Sequence, residues 1–312
     1  MFEITREGLA GIRLLICMAK ADGTLRPEER FELEDALAGI ELPDGLTLAK
    51  LLDEKTDPPA LAAEITSPEA RDSIYASVFA MAHIDSDFGS AEQQLLDLLR
   101  KAWNIHPEEE HHLAKVLDAH HASDPEPHAA PPKKPEDADA SAQRIVLRYS
   151  LVTGLTGAIP IPLVPSLIIV PVQVKMVHDV ARAMNQPIDK NTVQLMFETL
   201  GVGSGLQLAV YELCKLIPAV GSAVGAAGAF ASTYGLGQVA LTFYKGGAKA
   251  SMESLKPIYE RERKSGRAEY EKHKAAIHAA QEAHGDELRA LAYDLQQGKI
   301  TPLEYEKKVD EL

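Results

Sequence analysis

Leu9, Ile12, Leu15, Ile16, Met18 and Ala19 recur at helical spacing, and the run stops at Asp22-Gly23, a turn dipeptide. Pro27, Glu28 and Glu29 then open a second helix, with proline at the first helical position and carboxylates near the positive end of the helix dipole. The pattern predicts helix, acidic turn, helix. A shift of 63 residues brings it back without a gap: Met18-Ala19 corresponds to Met81-Ala82, Asp22 to Asp85, Leu25 to Phe88 and Glu29 to Glu92. The front of the chain is therefore an internal duplication of a helical pair.

Residues 124–142 hold five prolines early and small polar residues later, which reads as a linker. Beyond Arg144 and Arg148, no charge occurs from Ser150 to Val174. Pro160, Pro162, Pro165 and Pro171 oppose one straight helix there, since each removes a backbone donor and crowds the preceding turn. Two half-helices meeting at the Pro-Ile-Pro corner are expected, the second carrying Lys175, His178, Asp179 and Arg182 on a charged face. Between 190 and 215 an amphipathic helical pair is broken at Gly201-Val202-Gly203-Ser204-Gly205. Those glycines are not a phosphate loop, because no Gly-Lys-Ser/Thr follows and no strand precedes.

Leu216 to Tyr244 is the longest uncharged stretch, 29 residues between Lys215 and Lys245. Its length would cross a bilayer. Five glycines and a proline favour instead a tightly packed hairpin, with Gly221, Gly225, Gly228, Ala231 and Gly235 forming a small-residue face on which helices approach closely. Residues 259–284 mix Lys and Arg with Glu and read as a solvated helix. After Gly285, Leu288, Leu291 and Leu295 form a stripe, Gly298 ends the helix, and Thr301-Pro302-Leu303-Glu304 begins another with a capping box.

Composition agrees with an all-α protein: 46% apolar, 25% charged and only 5% aromatic residues, with no sustained β-branched alternation. At 312 residues, about two domains are expected. The boundaries read as 1–123, a linker at 124–142, an apolar helical domain at 143–258, a charged helix at 259–284 and a hairpin at 285–312. Cys17 and Cys214 lie in separate apolar runs, as two buried thiols in a reducing compartment would. The N-terminus lacks a basic n-region and a cleavage site, so the chain is expected in the cytoplasm. Charge is uneven. Residues 1–123 carry 24 acidic against 11 basic side chains, whereas 143–258 are net basic. The acidic front excludes nucleic acid as a partner, and the basic middle would suit an anionic inner-membrane face.

The segments MAKADGTLRPEE and MAHIDSDFGSAE resemble the paired motifs of the tellurite-resistance TerB-like family over about 5–122. That resemblance implies a stress-response module with an acidic centre for a metal ion. Carried over by position, the centre would use Asp22, Glu29, Asp85, Asp87 and Glu92, with Ser86 departing from the pattern where the first copy has Gly23. Two readings of these carboxylates stand. Brought together they would demand a divalent cation such as calcium or magnesium; separately they end helices, and a glutamate at the third helical position caps its own backbone. His106, His111, His112, His120, His121 and His128 lack zinc-ligand spacing and read as a solvated helix end.

Residues 145–250, with IPIPLVP, QVKMVHDVARAM, LIPAVGSAVGAAGAF and TYGLGQVALTFYKGG, resemble the YcjF-like GTPase-associated domain, which implies a membrane-proximal module working beside a separate GTPase. Residues 286–312, around GKITPLEYEKK, resemble the SHOCT-like hairpin, which would pack on its own protein or on a second copy. No nucleophile with a base, phosphate cradle or closed ligand set is present in the sequence, so an enzyme is not expected. The expected function is a non-enzymatic, membrane-proximal stress-response adaptor. The alternatives are a soluble helical scaffold or GTPase partner, and a pore former built on the small-residue face.

Overall fold

A computed structural model of the chain describes residues 2–21, 23, 25, 27–37, 40–84, 89–108, 110–111, 113–114, 138–159, 164–203, 209 and 221–312. The protein is all-α. The extended pairing among the described residues is two residues deep: β1 (Phe2–Glu3) runs parallel to β2 (Ile40–Glu41). The chain divides into two compact units, Met1–Ala119 with Gly203–Gly225, and His120–Val202 with Ala226–Leu312.

The first unit contains α1 (Arg6–Ala19), α2 (Pro27–Ala36), α3 (Leu48–Asp53), α4 (Pro58–Glu64), α5 (Pro68–Ile84) and α6 (Ser90–Trp103). The duplication is visible in the helices: α1 and α2 recur as α5 and α6 at the same offset. Thr5 begins α1 by accepting a hydrogen bond from the Gly8 amide at 3.0 Å. α1 is apolar nearly all round and buried on most sides, as a core helix should be, packing on α4 and α5. Long-range ties fix it there. Arg13 reaches Glu54 through two bonds of 2.7 and 3.1 Å, and α4 is itself tied to α6 by the Trp103 indole, which donates to the Ala62 carbonyl at 3.0 Å. Glu7 accepts four hydrogen bonds, from the amides and hydroxyls of Thr66 and Ser67, at the entry to α5. Cys17 is half-buried rather than buried, with its thiol 2.8 Å from the Thr56 hydroxyl, while Cys214 lies outside the described residues.

The second unit contains α7 (Ala138–Gly157), α8 (Val164–Ala183), α9 (Lys190–Leu200), the larger part of α10 (Gly221–Lys245), α11 (Lys256–Gln296) and α12 (Pro302–Asp310). α7 already begins inside the stretch read as linker, because Ala138-Asp-Ala-Ser-Ala carries good helix formers; 124–137 lie outside the described residues. α7 and α8 are the two half-helices expected on either side of the proline corner, with Pro165 in the first turn of α8 and Pro171 within it. Gly201, at φ 68°, ends α9.

Two expectations are corrected. Residues 221–245 are one continuous helix and not a hairpin. The glycines serve close packing instead of a turn. A Cβ on Gly235 would sit 3.0 Å from the Arg263 amide nitrogen and 3.1 Å from its Cα, and one on Gly266 would sit 3.0 Å from the Ala231 backbone. α10 and α11 thus meet backbone to backbone through reciprocal notches. Gly237 instead admits side chains of α7 and α8, since a Cβ there would stand 2.6 Å from both Val146 methyls and 3.1 Å from the Met176 sulfur. From Gly228 to Tyr244 only Thr242 is exposed.

The charged stretch 259–284 and the first hairpin helix are likewise one 41-residue helix, interrupted only at His284, whose φ of −120° and ψ of 15° leave helical geometry just before Gly285. Its face is not wholly solvated. Tyr259, Arg263, Gly266, Tyr270 and Ile277 form a buried stripe, and Phe230 of α10 packs edge-on against Tyr270 at 5.7 Å. Arg263 is fully buried because the glycine opposite leaves room, and its guanidinium lies 5.8 Å from the Tyr259 ring. α11 ends in a Schellman turn, with Gly298 at φ 68° and the Lys299 amide bonded to the Asp294 carbonyl at 2.9 Å. The expected capping box follows: Thr301 Oγ1 accepts from the Glu304 amide, and Glu304 Oε2 accepts from the Thr301 amide.

Candidate functional site

The acidic centre is described only in part. Asp22, Asp85 and Asp87 lie outside the described residues, as does the side chain of Glu29, the third residue of α2. Glu92 is the third residue of α6, and its Oε2 accepts the Gly89 amide at 2.7 Å. That is the capping geometry. Among the described residues no three His, Cys, Asp or Glu side chains converge on a metal position. His106 and His111 are exposed; His112, His120, His121 and His128 lie outside the described residues.

Among the described residues, an ion cluster that joins three helices lies in the second unit, where α7, α8 and α12 meet. Arg148 on α7 points at α12 and divides its fork between two carboxylates one helical turn apart. Nη2 lies 2.8 Å from Glu306 Oε1, and Nε lies 2.5 Å from Asp310 Oδ1. Glu306 is 2% exposed, and its other oxygen is 3.4 Å from Lys175 Nζ on α8. Lys175 also approaches Asp179 at 3.4 Å, one turn along its own helix, and donates to the Tyr149 hydroxyl. Tyr149 is fully buried and donates in turn to Asp179 Oδ2 at 2.6 Å. Arg182 closes the set at 3.1 Å from Asp179 Oδ1.

Three cations and three carboxylates therefore balance around one phenol. Arg148 and Lys175 lie 5.1 and 4.8 Å from the centre of its ring. Burial, with Asp179 next in effect, pushes the Tyr149 hydroxyl far above its ordinary range, so it stays protonated and acts as a donor. Glu306 is the one charged group of the set that is fully buried, and Arg148 and Lys175, both partly exposed, pair with its two oxygens.

A second polar group lies deeper, between α7, α8, α10 and α11. Thr153 and Thr233 hydroxyls are 2.9 Å apart, the Gln173 amide donates to Thr233 at 3.1 Å, and Ser232 lies 3.1 Å from the Tyr259 hydroxyl. These bonds tie the apolar helices in register, as polar residues do between helices that lack charge.

Reading the sequence missed the ion cluster, although it marked Lys175, Asp179 and Arg182 as one face and Arg144 with Arg148 as an entry. The available signal was spacing. Lys175/Asp179 and Glu306/Asp310 are each four apart, which puts both charges of a pair on one side of a helix. Four of the basic residues of 143–258 are paired within the chain: Arg148, Lys175 and Arg182 as above, and the exposed Lys245 with Asp139.

Residues 5–117 match the family model described as protein of unknown function DUF533, a TerB-like family, in keeping with the resemblance read from the duplicated acidic turns. No curated protein and no solved structure shows significant similarity to the chain.

Proposed function

We propose that the chain is a non-enzymatic stress-response adaptor whose helical second unit is a closed interaction module rather than a membrane anchor. The observation that carries this is the use made of α10. Its small-residue face, the natural seam for a span or a pore, is filled at Ala231 and Gly235 by the backbone of α11, and Val146 and Met176 close on the helix from another side at Gly237, so anchoring through it would require the unit to come apart. Among the described residues no helix is long and apolar enough to cross a membrane. The stress-response part of the reading rests on the TerB-like character of residues 5–117. The YcjF-like and SHOCT-like resemblances of 145–250 and 286–312 suggest work beside other proteins, a separate GTPase among them.

Fractionation of the full-length protein from bacterial cells tests the reading. Release from membranes by a high-salt wash is the expected result. Retention in carbonate-washed membranes would overturn it and restore the anchor.

A further inference from the structure

The ion cluster is completed from α12, and we infer that the α7–α8 face beneath α12 is a receptor for a short acidic amphipathic helix of a partner protein, with α12 as its occupant in the resting chain. The inference rests on the adaptor reading and adds the chemistry of the partner.

α12 is a helix of nine residues. Of residues 301–312 only Tyr305, Glu306 and Val309 are buried, and the helix joins α11 through a short turn at Gly298. Those three residues with Asp310 spell a rule for what the face accepts. Tyr305 and Val309, four apart, fill the apolar part; Glu306 and Asp310, four apart, meet Arg148, and Glu306 also meets Lys175. Lys307, Lys308 and Glu311 face solvent and are free to vary. The recognised pattern is aromatic, acid, two open positions, aliphatic, acid.

Lifting α12 would leave Arg148, Lys175 and Arg182 against Asp179 alone, an excess of two positive charges beside the surface vacated by Tyr305 and Val309. A basic and apolar face of that kind needs a replacement that supplies both carboxylates and an apolar stripe. A phospholipid surface could supply negative charge. It could not supply two carboxylates one helical turn apart, which is the spacing over which the Arg148 fork is divided, and this favours a helix.

The test uses the full-length chain and, as probe, a fluorescein-labelled peptide of residues 301–312. The double substitution Glu306→Gln and Asp310→Asn keeps the shape of α12 and removes its charge. The peptide is expected to bind this variant about tenfold or more tightly than the unaltered chain, and Arg148→Glu in the same background should abolish binding. Equal or absent binding to a variant with unchanged circular dichroism would overturn the inference. So would binding of phosphatidylglycerol vesicles but not of the peptide.

If the variant fails to fold, hydrogen exchange on the unaltered chain decides. Amides of 302–310 should exchange at least about tenfold faster than those of 259–277, by opening of α12 alone. Exchange at one common rate would overturn the inference, because a helix that leaves only with the whole unit cannot be exchanged for another. None of these outcomes alters the fractionation result, so the receptor and the adaptor reading fail separately.

Discussion

Glu7 shows how one side chain can organise an element far from it in sequence. Its carboxylate accepts the amides of Thr66 and Ser67, the two residues that lead into α5, across 59 and 60 residues. The hydroxyls of Ser67 and Thr66, followed by their amides, hold its pKa down from 4.5 to about 2. The folded value lies below the unfolded one, so the stabilisation is complete above about pH 4.5 and is lost as pH falls towards 2. Glu7→Ala should therefore cost about 1–2 kcal/mol at pH 7, allowing for solvent screening, and the difference should vanish near the acid limit. Urea titrations at neutral and acid pH, followed by fluorescence of Trp103, the single tryptophan, would measure it. Glu92 makes a second residue-scale case. As a cap, its replacement by Ala should cost about 1 kcal/mol whether or not millimolar calcium is present. A penalty that grows with calcium would mean that a cation also uses it.

At the scale of elements, the helix boundaries that were legible are those written locally. Asp22-Gly23, Pro27, Gly201, Gly298 and the Thr301 capping box carry their own stop or start chemistry. The error at Leu216–Tyr244 came from the same local reasoning. Glycine breaks an isolated helix, but opposite another backbone it is what lets a helix fit, and only the partner distinguishes the two. The difference is measurable. Gly237→Ala should destabilise the second unit by about 1–3 kcal/mol, since crowding against Val146 outweighs about 1 kcal/mol of helix propensity. Gly285→Ala, in α11 with only the tips of Arg289 at 3.7 Å or beyond, should stabilise it by about 0.5–1 kcal/mol. Thermal denaturation by far-ultraviolet circular dichroism would show the opposite signs.

For the molecule as a whole, what could not be read was convergence. Arg148 and Glu306 are 158 positions apart, and no periodicity links them. Two of the carboxylates that offset the positive excess of 143–258, Glu306 and Asp310, lie beyond that boundary. Arg148→Ala should cost about 2 kcal/mol at neutral pH by leaving Glu306 with Lys175 alone, the partial exposure of the arginine keeping the loss below that of a fully buried pair. Thermal denaturation of the full chain would register it.

The burial of α10 also has a temporal side. The ribosome delivers α10 before α11, so the least polar helix of the second unit emerges with its seam open. It stays uncovered until the tyrosine, arginine and glycine that fill that seam have been synthesised. During that interval the nascent chain offers a chaperone an uncharged segment of 29 residues. A nonsense mutation just after Lys245 should yield an aggregating product, because the message would end before the chain could conceal what it had already exposed.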